Sequence, residues 1–238
     1  MKRENLKIFK DPKSTAEAFG DYLVKLVDES SSFHCALSGG STPKLLFKYL
    51  AERYASSDIW EKLHLYWGDE RCVPPDDEES NYKMTNDLLL SKVPIPAANI
   101  HRVRGEDDPA DEAKRYGNEL MQMDQHNGLP FFDLIILGMG DDGHTASIFP
   151  HELELKDSQD ICAVATHPTS GQHRVTLTGP VINAAKEVIF LVTGAGKKEK
   201  LSEILDQRGG WKSYPASYIK PLSNQLSWFV DEAAIAPN

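Results

Sequence analysis

The chain has 238 residues, 40% of them hydrophobic, and a formal net charge of −10. That suits one α/β domain with a full core, over residues 1–238. The excess of carboxylates argues against nucleic acid as a partner, since a phosphate backbone is held by clustered Lys and Arg; no apolar run approaches the ~20 residues that span a bilayer, so no membrane is expected either.

Leu6–Phe9 reads as a short strand. Ser14-Thr-Ala-Glu17 has the form of a capping box and opens an amphipathic helix to about Asp28. Phe33–Leu37 is a strand, after which Ser38-Gly-Gly-Ser-Thr-Pro43 turns into a helix reaching about Tyr54. Thr42 suits the N-cap of that helix and Pro43 its first position. Leu63–Trp67 is the next strand; it runs into Gly68-Asp-Glu-Arg-Cys-Val-Pro74 and an acidic loop, 76–79, of solvated charges. A helix near 81–90, a strand near 100–103 and a polar helix from 109 to about 124 follow. The apolar run 132–137 reads as a buried strand. Further strands are expected over 161–166, 174–178 and 188–193, a helix over 197–205 and a last strand over 227–231. Residues 151–155 take no assignment. Strands alternating with helices predict a mostly parallel sheet with helices on both faces. The basic start, Met1-Lys-Arg-Glu-Asn-Leu-Lys, has no apolar stretch behind it of the kind a secretion signal needs. Cys35, Cys72 and Cys162 form no Cys-x-x-Cys pair; Cys35 and Cys162 lie in apolar runs and read as buried thiols of a cytoplasmic protein.

In such sheets ligands gather outside the carboxyl ends of the strands. Four polar loops follow directly on strands, at 38–43, 68–74, 138–150 and 194–198, and the rule places them on one rim. The richest is Gly138-Met-Gly-Asp-Asp-Gly-His-Thr-Ala-Ser-Ile-Phe-Pro150. An imidazole is the side chain best suited to move protons at neutral pH, and a neighbouring aspartate can orient that of His144. Gly138-x-Gly140-x-x-Gly143 fits a dinucleotide fingerprint, yet Asp141 and Asp142 would face a pyrophosphate with like charge. Pro150 also interrupts the helix that should follow, and strand 161–166 ends without an acid for a ribose. The chain has no Gly-x-x-x-x-Gly-Lys-Ser/Thr, no Gly-x-Ser-x-Gly, and no His-x-His or His-x-x-x-His pair. A nucleotide P-loop, a serine hydrolase and a metal centre are therefore not expected. What remains is an imidazole that moves protons without metal, cofactor or covalent nucleophile.

Ser38-Gly-Gly-Ser-Thr-Pro43 has the composition of an anion cradle, with Gly39 and Gly40 letting backbone N–H groups face a ligand at a helix N-terminus. It also reads as a plain, well-capped turn. Arg174, opening Arg174-Val-Thr-Leu-Thr178, and Lys197, in Gly194-Ala-Gly-Lys197, are each ordinary surface charges alone; with the cradle they would neutralise a phosphate. Gly68-Asp-Glu-Arg71 reads either as an ion-paired turn or as a carboxylate, Asp69, near a reacting carbon with Arg71 on substrate oxygens.

Taken in order, Leu37-Ser-Gly-Gly-Ser-Thr-Pro43, Trp67-Gly-Asp-Glu-Arg-Cys-Val-Pro74, Ser80-Asn81, the 138–150 loop, Arg174-Val-Thr-Leu-Thr178 and Gly194-Ala-Gly-Lys197 resemble the 6-phosphogluconolactonase family. That family lies within the superfamily that includes glucosamine-6-phosphate deaminase/isomerase. The resemblance covers nearly the whole chain. It implies a single modified Rossmann-like α/β domain, acting without a cofactor. It implies hydrolysis of 6-phospho-D-glucono-1,5-lactone to 6-phosphogluconate in the pentose phosphate pathway. By position it implies His144 as general base, Asp142 as its partner and Asp69 as a supporting carboxylate. Gly39, Gly40, Ser41, Thr42, Arg174 and Lys197 would take the phosphate, and Arg71 would orient substrate. The expected partner is the phosphorylated sugar lactone alone, met by a monomer or weak homodimer in the cytoplasm. The isomerase branch looks like Gly-His-Ile-Ala-Phe-Asn-Glu-Pro at the central loop; Phe149 stands at its Glu and cannot move protons. A sugar-phosphate-sensing domain is the reading from another class, but the short segment before Ser38 leaves no room for a DNA-binding domain as well.

Overall fold

The computed structural model describes residues 5–235; residues 1–4, part of the basic start read above for a secretion signal, lie outside the described residues. β1 (Leu6–Phe9) leads into α1 (Pro12–Asp28), β2 (Phe33–Leu37), α2 (Ser41–Arg53), the single turn α3 (Ile59–Lys62), β3 (Leu63–Trp67) and β4 (Asp69–Arg71). Then come α4 (Asn81–Leu88), β5 (Ile100–His101), α5 (Pro109–Leu120), a small hairpin of β6 (Gln125–His126) and β7 (Leu129–Pro130), and β8 (Leu134–Leu137). The remainder holds β9 (Cys162–Thr166), β10 (His173–Leu177), α6 (Gly179–Ala184), β11 (Glu187–Val192), α7 (Lys198–Asp206), β12 (Leu226–Asp231) and α8 (Glu232–Ile235).

Seven strands form one parallel sheet in the order β1-β12-β11-β8-β2-β3-β5. The central strands read as unbroken apolar runs because both of their faces are covered: every residue of β8 is buried, as is β11 from Val188 onward. Phe19 and Leu23 of α1, Leu46, Phe47 and Leu50 of α2, and Phe190 and Trp228 of the sheet belong to the same continuous core. The strand order reverses between β2 and β8. From β2 the chain winds outward through β3 to β5; from β8 it winds the other way through β11 and β12. The loops leaving β2 and β8 therefore diverge and open a crevice at their carboxyl ends.

The two strands expected over 161–166 and 174–178 do not join this sheet. β9 and β10 form a separate antiparallel sheet with β4, in the order β4-β10-β9. The physical reason is the connection between them: residues 167–172 are too few for a parallel crossover, which needs a dozen residues or more.

Two expected caps are corrected. α1 starts at Pro12, and its N-cap is Asp11, whose Oδ1 accepts the Ser14 backbone N–H at 2.7 Å. Ser14 lies inside the helix, and Glu17 pairs with Lys13 rather than reaching back. α2 starts at Ser41, two residues before the expected position, because Gly40 turns the chain at φ +110°, a conformation open to glycine. Thr42 is thus inside the helix, and its hydroxyl meets that of Thr193 at 2.7 Å. The unassigned stretch after Phe149 is a kinked 3-10 segment, Pro150–Asp157, whose Glu152 carboxylate accepts the Thr166 N–H of β9. Cys35 and Cys162 are buried free thiols, as expected, and Cys72 is half-buried. No helix among the described residues is long and apolar enough to cross a membrane.

Candidate active site

At the mouth of the crevice a cleft of about 170 Å³ is lined by Ser38, Gly39, Gly40, Asp69, Arg71, Asn81, Gly138, Met139, His144, Ala146 and Arg174. Six of the expected residues are among them: Gly39, Gly40, Asp69, Arg71, His144 and Arg174. Asp142 stands behind His144, its Oδ1 2.6 Å from Nδ1 and accepting the His144 backbone N–H at 3.0 Å. Burial pushes the Asp142 carboxyl up, but the His144 ring and backbone bonds outweigh it and bring it down to about 2. The loop is folded to deliver this pair. Gly140 donates its N–H to the His144 carbonyl at 2.9 Å, and Thr145 bonds the Gly138 carbonyl at 2.8 Å. The imidazole packs closely against Gly140, where a Cβ would fall 2.1 Å from Nδ1. Ala146, on the cleft wall, takes a left-handed φ of +47°.

Arg71 and Arg174 sit directly opposite each other on β4 and β10. Neither forms an ion pair among the described residues. The Nε of each is buried without a hydrogen-bond partner, and the one guanidinium bond is from Arg71 Nη1 to the Glu79 carbonyl. Burial and the Arg71 charge push Arg174 down from its ordinary range. Two facing cations with spare donors can hold an anion. Phe149 is fully buried beneath it, 4.8 Å from the His144 ring and 5.6 Å from the Arg174 guanidinium. The aromatic ring is a platform for both groups.

The other expected residues stand at the margin. Ser41 lines an adjoining groove of about 380 Å³ that shares Gly40, Arg71 and Asn81 with the cleft and brings in Lys44 and Lys48. The Thr42 hydroxyl is committed to Thr193, which ties α2 to the end of β11. Lys197 Nζ is paired with Asp141 Oδ1 at 2.5 Å, so the Gly194–Lys197 turn reaches the central loop but not the cleft wall. A larger hollow of about 560 Å³ lies elsewhere, between α5 and β9, and brings together no histidine or arginine.

Three residues were missed in the sequence. Glu70 is buried beside Asp69, and its carboxylate accepts the N–H groups of Arg71, Asn81 and Tyr82 and the Ser80 hydroxyl. It fastens the start of α4 onto β4. Asn81 then reaches the Asp69 carbonyl through Nδ2 at 3.0 Å. Ser147, fully buried, donates to Asp69 Oδ2 at 2.6 Å. The Ser80-Asn81 motif was a signal for the first two; for Ser147, inside the central loop, nothing in the sequence pointed to Asp69.

A sequence profile described as glucosamine-6-phosphate isomerases/6-phosphogluconolactonase matches residues 10–228. A 6-phosphogluconolactonase of Haemophilus influenzae is 48% identical over 203 residues, 85% of this chain and 86% of that protein. One from a Synechocystis species is 42% identical over 215 residues, 89% of this chain and 87% of the relative. The solved 6-phosphogluconolactonase of Trypanosoma brucei superposes with a TM-score of 0.87 at 28% identity, over 97% of both chains. With the profile spanning nearly all of the sequence and the sheet, crevice and ordered motifs agreeing with it, the chain belongs to the glucosamine-6-phosphate isomerase/6-phosphogluconolactonase family.

Proposed function

We propose that the chain hydrolyses 6-phospho-D-glucono-1,5-lactone to 6-phosphogluconate, in the pentose phosphate pathway, with His144 activating the attacking water. The observation that carries this reading is the His144–Asp142 pair and the Arg71–Arg174 pair lining or backing one cleft. Asp142 accepts Nδ1–H, which leaves Nε2 as the acceptor for a water proton. The hydroxide adds to the lactone carbonyl carbon, the ring C–O bond breaks, and the imidazolium returns its proton to the leaving ring oxygen. Arg71 and Arg174, with the backbone of Gly39, Gly40 and Ser41 at the start of α2, hold the phosphate. Lys197 joins them by exchanging Asp141 for the ligand. Anchoring the remote phosphate fixes the distance from the carbonyl carbon to the base, so binding energy is spent on orientation. Backbone N–H groups of the central loop are the candidates to steady the oxyanion.

The test follows acid release from freshly generated lactone above the spontaneous rate. His144→Ala should lower kcat by about 10²-fold or more with KM little changed. Near-normal kcat in that variant would remove the base assignment.

A further inference from the structure

Asp69 is the carboxylate of the cleft wall, and its setting differs from that of Asp142. It is 6% exposed and has no cation within ion-pair distance among the described residues. Its backbone is fixed on both sides: its cross-strand partner on β10 is Thr176, and its carbonyl accepts Asn81 Nδ2. Its side chain takes one hydrogen bond, from the Ser147 hydroxyl to Oδ2 at 2.6 Å. Ser147 is itself held. Its backbone N–H donates to Thr176 Oγ1 at 3.1 Å, and that hydroxyl passes its proton to the Leu177 carbonyl at 3.1 Å. Ser147 and Thr176 are buried to 0% and 1% exposure. A buried serine proton needs an acceptor, and the acceptor it has is Asp69. Oδ2 is therefore occupied, while Oδ1 takes no hydrogen bond among the described residues, on a residue that lines the cleft.

We propose that Ser147 is a positioning residue that locks the Asp69 carboxylate so that its free oxygen accepts a hydrogen bond from a ring hydroxyl of the sugar lactone. The inference rests on the lactone reading above and adds how the polyol is told from an apolar lactone. A carboxylate with one oxygen satisfied and one open is an acceptor only, so it favours a ligand that brings a hydroxyl there. A ligand without the hydroxyl leaves a nearly buried charge unpaired, and that is the costly outcome. Ser147 acts through Asp69 and does not itself touch substrate.

Ser147→Ala should raise KM for the phosphorylated lactone about tenfold, the loss expected for a hydrogen bond to a charged group, with kcat within about threefold. Asp69→Asn should raise KM similarly, and Ser147→Ala should add almost nothing in that background, because the carboxylate it positions is gone. Ser147→Cys keeps the volume with a weaker donor and should fall between wild type and alanine. Calorimetric binding of 6-phosphogluconate, which is open-chain but keeps the hydroxyls the ring carried, should weaken in the same order. A folded Ser147→Ala with unchanged KM would overturn the inference while leaving wild-type turnover, and so the lactone reading, standing. So would an effect that is fully additive with Asp69→Asn. A wild type that neither turns over the lactone nor binds 6-phosphogluconate would sink both.

Discussion

His144 owes its place to two neighbours with different physics. Asp142 fixes which ring nitrogen carries the proton, and Gly140 supplies the surface on which the ring lies. Gly140→Ala would put a methyl group 2.1 Å from Nδ1, and the ring must swing off Asp142. We expect kcat to fall by about 10²-fold, close to the loss of the base itself; steady-state kinetics that match wild type would show that the ring need not lie there. Asp142 also gives a pH signature. Its folded-state value, about 2, lies below the ordinary 3.8, so its contribution to stability is present above pH 3.8 and is lost as pH falls through 2. The side chain is 40% exposed, so solvent screening keeps that contribution small. Melting curves of wild type and Asp142→Asn should converge between pH 4 and pH 2 and differ most above it.

At the scale of elements, helix starts set the site more than helix bodies do. α4 is bolted to β4 by Glu70, whose two oxygens meet three N–H groups and a hydroxyl, and this puts Asn81 on the cleft wall. α2 begins at Ser41, directly after Gly40, which lines the same cleft, so the N-terminus of a 13-residue helix lies beside it. At α1 the capping assignment can be checked directly. Asp11→Ala should cost about 1 kcal/mol in a denaturant melt. Glu17→Ala, which removes an exposed Lys13 pair, should cost little. Equal losses would restore the Ser14 capping box.

The molecule as a whole brings two like charges into register. Arg71 and Arg174 face each other across two strands with no acidic ion-pair partner among the described residues, an arrangement in which the like charges repel and that an anion would relieve. Inorganic phosphate or 6-phosphogluconate should therefore raise the melting temperature of wild type, by the equivalent of about 2.7 kcal/mol at a hundredfold excess over Kd. Arg174→Gln should lose most of that gain. The same ligand-induced shift in both proteins would contradict the anchoring role. The β4-β10-β9 sheet is what makes the pair possible. On a strand of the parallel sheet, Arg174 would lie at the amino end, away from the rim; on the antiparallel β10 that end is returned to β4 and to the cleft.

Some of this is local and was legible in the chain. The central loop must bend because Gly138, Gly140 and Gly143 stand among charged residues, and His144 with Asp142 two positions before it form their contact within one turn. The 38–43 and 138–150 loops could be put on one rim from the alternation of strands and helices alone, since parallel strands share a direction. Even the antiparallel turn between β9 and β10 is legible in its connection, since six residues are too few for a parallel crossover. Other features were decided only when distant segments met. Glu70 became a clamp for α4, Thr42 found Thr193, Lys197 found Asp141, and Ser147 found Asp69, at separations of up to 151 residues. A buried polar side chain must take whichever partner the fold brings to it, and no periodicity or motif encodes which one that is.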